Sequence, residues 1–197
     1  MALARRGMVA SPHYTATAAG LRVLEDGGSA VDAAVAVNAA LGVVYPHMTG
    51  PGGDAFWLVH DAAERRVHAL NGSGRAARAA SREWYRAQGH RTIPQRGAAS
   101  AVTVPGAVDS WCAAHGRFGR LPLARVLAPA IALARDGYPM CGGQAACLRQ
   151  VADVLATYAP GWEALDGPPP EVGREVRLPR LAATLERVAE HGRDGFY

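Results

Sequence analysis

One run of small apolar residues constrains the fold more than any other part of the chain. Residues 29–44 read SAVDAAVAVNAALGVV, and Ser29 and Asp32 form the S/T-x-x-D/E arrangement in which each side chain bonds an unpaired amide of the first helical turn. The sequence therefore predicts a helix that begins here. Because this helix is apolar nearly all round, other layers of structure must cover it on most sides.

The neighbouring segments predict further helices and one hairpin. TATAAGLRVLEDGG has helical spacing, and Gly27 or Gly28 can supply the left-handed residue that ends a helix. The apolar runs AFWLVHD and RVHAL, separated by AAER, predict a β-hairpin. Residues 162–179 are predicted to be irregular and exposed. Helical patterns are assigned to SREWYRAQ, AVDSWCAAHGRF, LARVLAPAIALARDG, GQAACLRQVADVLATY and LAATLERVAEHG.

Composition excludes several classes of protein. The 197 residues are 49% hydrophobic and 19% charged, which is typical of a globular domain with one core. All 21 basic residues are arginine, and they are dispersed rather than clustered, so no nucleic-acid partner is expected. The most apolar run, residues 30–44, is shorter than a membrane span and contains Asp32 and Asn38, so no membrane partner is expected either.

The cysteines and the amino terminus bear on the compartment. Cys112, Cys141 and Cys147 show neither CxxC spacing nor a neighbouring histidine cluster, so neither a disulfide framework nor a metal site is predicted. No apolar stretch of the signal-peptide type follows the basic pair near the start. We therefore expect a cytoplasmic location, or a periplasmic or secreted one if the true start lies upstream.

A glycine-rich segment joins the apolar helix to the hairpin. Residues 46–56 read PHMTGPGGDAF. A dinucleotide cradle needs G-x-G-x-x-G between a strand and a helix, and a P-loop needs a lysine, which this chain lacks. Here the order is helix, glycines, strand. The segment is interpreted as a tight connection, and no cofactor is expected.

Five segments, in order, carry a resemblance that covers nearly the whole chain. They are GMVASPHYTATAAGLRVLEDGGSAVDAAVAVNAALGVVYPHMTGPGGDAF, LNGSGRAARAAS, AVTVPGAVDSW, RFGRLPLARVLAPAIALARDGYPM and the closing LPRLAATLERVAEHGRDGFY. They resemble the amino-terminal part of the large subunit of γ-glutamyltransferases, also called γ-glutamyltranspeptidases or glutathione hydrolases. Residues 1–197 would then be a partial large-subunit region.

The resemblance implies an α+β fold, the N-terminal part of an αββα N-terminal-nucleophile hydrolase sandwich, mostly helical here with a small β-hairpin. It also implies a self-cleaving precursor and a carboxyl-terminal nucleophile subunit from the same precursor, whose first residue is the threonine nucleophile. The α-amino group of that threonine can accept the hydroxyl proton. No catalytic residue is assigned to residues 1–197, and this chain alone is expected to be inactive. Carboxyl-terminal strands are expected to cover the apolar helix.

The implied reaction is cleavage of γ-glutamyl amides such as glutathione, with transfer of the γ-glutamyl group to water, amino acids or peptides. In this family an arginine in the loop after the early hairpin binds the α-carboxylate of the substrate. The corresponding loop here supplies the candidates Asn71, Ser73 and Arg75. Ungapped counting places Ser73 at the family's arginine position, so either Arg75 reaches the carboxylate through a shifted backbone or this branch binds another acyl group.

Other interpretations remain open. Asn71 and Ser73 are ordinary turn residues, and Arg75 could instead be an exposed loop arginine or pair with Asp54. The displaced arginine keeps a glutaryl or cephalosporin acylase-type amidohydrolase of the same fold as an alternative. A non-catalytic remnant or binding module is a further alternative. Cys112 is interpreted as a core residue, and His13, His47, His60, His68 and His115 are interpreted as structural.

Overall fold

The computed structural model describes residues 3–5, 7–100, 103–162, 164, 167 and 169–197. Two 3₁₀ turns lie at Ala98–Ser100 and Gly192–Gly195. None of the described helices combines the length and the apolar composition needed to cross a bilayer. In chain order the elements are α1 (Tyr14–Glu25), α2 (Ala30–Val44), β1 (Ala55–Asp61), β2 (Arg66–Gly72), α3 (Arg82–Ala87), α4 (Ala107–Phe118), α5 (Leu123–Asp136), β3 (Tyr138–Pro139), α6 (Gly142–Gln150), α7 (Ala152–Tyr158), β4 (Glu175–Val176) and α8 (Pro179–His191).

The predicted caps between α1 and α2 are confirmed. Ser29 Oγ accepts a hydrogen bond from the amide of Asp32 at 3.0 Å, and Asp32 Oδ2 accepts one from the amide of Ser29 at 2.8 Å. The same carboxylate oxygen also accepts from the amide of Arg120 at 2.9 Å. These donors explain how a fully buried carboxylate is tolerated, and they tie the start of α2 to the connection between α4 and α5.

The apolar helix α2 is buried along most of its surface, as its sequence predicts. Helices α1, α4 and α5 of the same chain pack against it. Ala34 stays exposed and Val37 and Asn38 are half-buried, so cover of this side by carboxyl-terminal strands stays a prediction. The fully buried positions along α2 include Val35, Ala36, Ala40, Val43 and Val44.

The predicted hairpin is confirmed, and only one of its faces is covered. β1 and β2 pair antiparallel, with Trp57 opposite Leu70 and Leu58 opposite Ala69. Trp57 and Leu70 pack against the core, and Trp57 Nε1 donates a hydrogen bond to Ser110 Oγ of α4 at 3.1 Å. On the opposite side, which we call the outer hairpin face, Phe56, Leu58 and Val67 are 72%, 81% and 58% exposed.

Two predictions about the second half of the chain are wrong in detail. GQAACLRQVADVLATY forms two helices rather than one, because the backbone leaves helical geometry at Val151. Residues 162–179 are not wholly exposed, since Val176 and Leu178 are buried and β4 pairs antiparallel with β3. The amide of Leu178 donates to the carbonyl of Ala134 at 2.7 Å, which holds this segment on α5. Residues 163, 165, 166 and 168 lie outside the described residues.

The last helix carries the end of the chain back toward the hairpin. α8 packs on α5 through Ala182, Leu185 and Val188, which are spaced along one face. The Gly192–Gly195 turn follows directly and contacts α4. Residues far apart in sequence therefore meet near the start of α4, beside the end of β2.

Candidate functional site

The three candidate residues from the sequence lie together around one cavity. Asn71, Ser73 and Arg75 line a cleft of about 390 Å³ at the end of β2, and all three side chains are exposed. The far wall comes from the residues before and within the first turns of α4 and from the end of the chain. It includes Val104, Pro105, Gly106, Asp109, Ser110, Arg193 and Tyr197.

Asn71 and Ser73 form a closed local turn. Asn71 Oδ1 accepts hydrogen bonds from the amide of Ser73 at 2.9 Å and from Ser73 Oγ at 2.7 Å. A side-chain oxygen that bonds the backbone two residues later is the geometry of an Asx turn. The contacts of Asn71 and Ser73 are therefore those of turn residues. Both residues shape the loop that presents Arg75.

Glycines bring the Arg75 loop against the segment before α4. A Cβ atom on Gly74 would lie 1.4 Å from the carbonyl oxygen of Val104, and one on Gly106 would lie 2.3 Å from the carbonyl oxygen of Gly72. The amide of Val104 donates to the carbonyl of Arg75 at 2.9 Å. The floor of the cavity is thus two main chains in direct contact, which only residues without side chains permit.

Arg75 has no acidic partner within the part of the chain that the structure describes. The alternative pairing with Asp54 does not occur, because Asp54 Oδ1 instead accepts the amide of Gly74 at 2.9 Å. The guanidinium of Arg75 is exposed beside the cavity. A guanidinium in this state presents a planar set of donors that matches a carboxylate.

The opposite wall contains a second arginine that is already paired. Arg193 Nε lies 2.8 Å from Asp109 Oδ1, and its guanidinium carbon lies 4.9 Å from the centroid of the Tyr197 ring. Tyr197 donates its hydroxyl to the carbonyl of Pro105 at 2.6 Å and accepts the amide of Asp109 at 3.2 Å. Burial raises the pKa of Tyr197, so its hydroxyl keeps the proton that it donates.

Sequence reasoning missed this wall. The sequence assigned no role to Val104, Asp109, Arg193 or Tyr197, and Arg193 and Asp109 are 84 positions apart. The available signal was the family resemblance of two segments, AVTVPGAVDSW and LPRLAATLERVAEHGRDGFY, which contain these four residues.

The described lining of the cavity fits recognition better than catalysis. Its two serine hydroxyls bond carbonyl oxygens: Ser73 donates to Asn71 and Ser110 to the main chain of Ala107 at 2.7 Å. A hydroxyl becomes a nucleophile when a neighbouring base takes its proton, and neither serine has such a partner among the described residues. The cavity can therefore hold an anionic group, while the attacking group must come from elsewhere.

The histidines and Cys112 have contacts of a structural kind. His13 Nδ1 lies 2.7 Å from Thr15 Oγ1 at the start of α1, and His115 Nε2 lies 2.8 Å from the carbonyl of Leu121. Burial, and next the Asp109 charge, raise the pKa of the Cys112 thiol. A thiol whose pKa is raised is a poor nucleophile, in agreement with its interpretation as a core residue.

One cluster of possible metal ligands lies at the turn of the hairpin. Ligand atoms of Asp61, Glu64 and His68 lie within 4.8 Å of one another. Arg117, however, lies 3.0 Å from His68 Nδ1, and a guanidinium can only donate. His68 Nε2 lies 3.0 Å from Glu64 Oε2. Both ring nitrogens of His68 therefore already face a protein group, and the cluster is interpreted as a local contact of His68 with Glu64 and Arg117.

The geometry defines a class before any family is considered: a helical layer and a hairpin that together present an exposed loop arginine beside a cavity. The sequence profile described as Gamma-glutamyltranspeptidase matches residues 16–197. The chain belongs to the γ-glutamyltranspeptidase family.

Individual relatives agree with this assignment. The chain is 46% identical to the glutathione hydrolase-like YwrD proenzyme of Bacillus subtilis, over 96% of this chain and 36% of that protein. Its structure matches that of the γ-glutamyltranspeptidase of Helicobacter pylori with a TM-score of 0.91 and 30% identity, over 100% of this chain and 58% of that chain. It also matches a cephalosporin acylase of Bacillus halodurans with a TM-score of 0.85 and 38% identity, over 92% of this chain and 35% of that chain.

These comparisons confirm the predicted fold class, the N-terminal part of an αββα N-terminal-nucleophile hydrolase sandwich. The described residues supply its mostly helical part and a two-stranded hairpin. The chain spans about a third of the length of the Bacillus subtilis relative that it matches.

Proposed function

We propose that the complete protein to which this chain belongs cleaves γ-glutamyl amides such as glutathione and transfers the γ-glutamyl group to water, amino acids or peptides. The observation that carries this proposal is the position of Arg75: an exposed guanidinium without an acidic partner among the described residues, at the mouth of a cavity on the loop after the hairpin. Family membership over residues 16–197 supplies the reaction class.

The role of this chain in the reaction is to hold the acyl group. Arg75 binds the carboxylate of the substrate through paired N–H donors, a contact that strengthens when the rest of the protein excludes water. Asn71 and Ser73 shape the turn that presents Arg75, since their polar atoms bond one another. A carboxylate fixed in this way sets the distance between the anchored end of the acyl group and its scissile amide.

The chemical step belongs to a threonine outside this chain. The threonine Oγ attacks the amide carbon while its proton passes to its own α-amino group. Collapse of the tetrahedral intermediate breaks the C–N bond, and the departing amine takes that proton. Water or an acceptor amine then attacks the ester carbon and gives up a proton to the same α-amino group. The C–O bond to the threonine breaks, and Oγ takes that proton back as it leaves. Hydrogen-bond donors near the carbonyl oxygen stabilise both intermediates.

A second acyl specificity is favoured by the same cavity. A γ-glutamyl substrate carries an α-ammonium group, which needs an acceptor, and the single carboxylate among the described lining residues, Asp109, is already paired with Arg193. A glutaryl group carries a carboxylate without the ammonium. The likeness to a cephalosporin acylase supports this alternative, in which Arg75 still binds the carboxylate of the acyl group.

A direct comparison of two chromogenic amides tests both specificities. The complete precursor is expressed and allowed to cleave itself, and its products are identified by amino-terminal sequencing. The processed protein is then offered γ-glutamyl and glutaryl p-nitroanilides. Preference for the γ-glutamyl compound supports the main proposal, and strong preference for the glutaryl compound replaces it by the acylase. A precursor that stays whole and cleaves neither amide contradicts both.

Arg75 itself gives the sharpest residue-level test. We expect Arg75→Ala in the complete protein to raise KM for the preferred substrate and to cost about 2–4 kcal/mol in transition-state stabilisation, because a desolvated carboxylate loses its partner. Arg78, an exposed arginine of the same loop, is the matched control. Arg78→Ala should leave KM unchanged. Equal kinetics for Arg75→Ala and the wild-type protein would show that Arg75 does not bind substrate.

The outer hairpin face supports a proposal for where the carboxyl-terminal part of the same precursor packs. Phe56, Leu58 and Val67 form an apolar surface on a sheet that has only two strands in the described chain. Exposed sheet edges and apolar faces of this kind are normally covered in a complete domain. The nucleophile subunit is the partner that we propose for this surface.

A further inference from the structure

The last residues of the chain close one side of the Arg75 cavity. Arg193 and Tyr197 both line it, yet neither lies near Arg75 in sequence. Tyr197 is fixed at its hydroxyl by two main-chain groups, the carbonyl of Pro105 at 2.6 Å and the amide of Asp109 at 3.2 Å. Its ring is fixed by the guanidinium of Arg193, which Asp109 holds at 2.8 Å.

The segment that Tyr197 grips is the same segment that holds the main chain of Arg75. The amide of Val104 donates to the carbonyl of Arg75 at 2.9 Å, and Thr103 forms a β-bridge with Ala76. Gly74 packs directly on the carbonyl of Val104. A shift of residues 103–105 would therefore carry Arg75 with it, since no flexible side chain lies between the two backbones.

We propose that Tyr197 is a positioning residue for Arg75: it anchors Pro105, and through Val104 it sets where the Arg75 guanidinium stands in the cavity. The proposal rests on the proposed function, in which Arg75 binds the carboxylate of the acyl group. Asp109 and Arg193 also hold Tyr197, because Asp109 pairs with Arg193 and the Arg193 guanidinium lies over the Tyr197 ring. The position of the Arg75 guanidinium thus depends on Tyr197 as well as on the hairpin.

The hydroxyl is the part of Tyr197 that this role requires. Tyr197→Phe keeps the ring on Arg193 and removes the bonds to Pro105 and Asp109. We expect KM for the preferred anilide to rise about tenfold, with kcat changed less than twofold, because binding of the acyl carboxylate is weakened while the distant nucleophile is untouched. Tyr158, an exposed tyrosine of α7, provides the matched control, and Tyr158→Phe should leave both constants unchanged.

A double-mutant cycle separates positioning from general damage. KM is measured for the complete, processed protein and for Tyr197→Phe, Arg75→Ala and the double variant, with the melting temperature of each. If Tyr197 acts through Arg75, the double variant has the KM of Arg75→Ala alone. A merely structural tyrosine would instead lower the melting temperature and kcat and would add its effect to that of Arg75→Ala.

Each outcome decides one of the two proposals. A raised KM for Arg75→Ala with an unchanged KM for Tyr197→Phe overturns the positioning role and leaves the proposed function standing. Full additivity in the double variant overturns the positioning role as well. An unchanged KM for Arg75→Ala removes the basis of both proposals.

Discussion

At the scale of single residues, the site depends on positions where a side chain has no room. Gly72, Gly74 and Gly106 each lie so close to another part of the chain that a Cβ atom would overlap it. The closest approach is at Gly74, where a Cβ would lie 1.4 Å from the carbonyl oxygen of Val104. The overlap is with backbone, which cannot rotate away as the end of a side chain can. The backbone of the Arg75 loop is therefore held in one position against the segment before α4.

We expect Gly74→Ala to separate the two loops and to weaken both stability and substrate binding. The cost in unfolding free energy should be at least about 1–3 kcal/mol, the range for overpacking a tight site, and KM should rise because Arg75 moves. Unfolding by urea and initial rates on the anilide measure the two effects in the complete protein.

Gly116 is the control for this change. It lies exposed inside α4 with nothing within 4 Å of the position that a Cβ would take. Gly116→Ala should be neutral or stabilise by up to about 1 kcal/mol, because alanine favours the helix and restricts the unfolded chain. Equal behaviour of the two variants would mean that the contact at Gly74 does not hold the loop.

The sequence predicted the residues of the near wall and not those of the far wall, for a physical reason. Asn71, Ser73 and Arg75 stand together in one loop, so a motif can place them. Tyr197 meets Pro105 across 92 positions, and neither periodicity nor local turn chemistry carries information over that distance. Whether Asn71, Ser73 and Arg75 bind substrate stays a prediction.

At the scale of elements, the start of α1 and the end of α2, which we call the histidine junction, contain two histidines that disfavour a proton. His13 is the N-cap of α1, and His47 lies just beyond the end of α2. Burial lowers the pKa of His13, with the nearby His47 acting in the same direction, and burial also lowers the pKa of His47. A proton on His13 would in addition place positive charge at a helix N-terminus, where the helix dipole opposes it.

We expect the protein to lose stability as the pH falls through the ordinary histidine value of 6.5. The folded state binds these protons less readily than the unfolded chain does, so the contribution is complete above that value and is lost below it. Melting temperatures of the complete protein between pH 5 and pH 8 measure the effect. His13→Asn, which keeps a capping side chain, should flatten the profile.

His60 is the control for this test because it lies exposed on β1. His60→Gln should retain the pH dependence of the wild-type protein. A profile that stays equally steep in His13→Asn and in His47→Gln would show that this junction does not sense pH.

Sequence reasoning placed the long elements well and the short ones poorly. The capping pair Ser29 and Asp32, the apolar run of α2 and the alternation in the hairpin are strong local signals, and each was confirmed. β3 and β4 have two residues each, too few to show a period. The break at Val151 interrupts an otherwise continuous helical pattern, so it depends on tertiary packing that the pattern does not record.

At the scale of the whole molecule, the described chain has a well-packed helical core and one apolar surface that is exposed. α2 is covered on most sides by helices of this chain, whereas the hairpin presents an apolar face and two free edges. In layered folds, a sheet with one covered face and one exposed apolar face packs against another layer. The outer hairpin face, rather than the helices, is therefore the surface that we expect another layer to cover.

The final prediction concerns that face. We expect Leu58→Arg to lower the unfolding free energy of the complete protein by at least about 2–3 kcal/mol, because a leucine buried on assembly is lost and a charge takes its place. The processed subunits of this variant should also separate at lower urea concentrations in size-exclusion chromatography. Val172 is the control, since it is 71% exposed in the turn before β4 and is not part of the hairpin. Val172→Arg should behave as wild type. If Leu58→Arg did so too, the outer hairpin face would face solvent in the complete protein, and the nucleophile subunit would have to pack elsewhere.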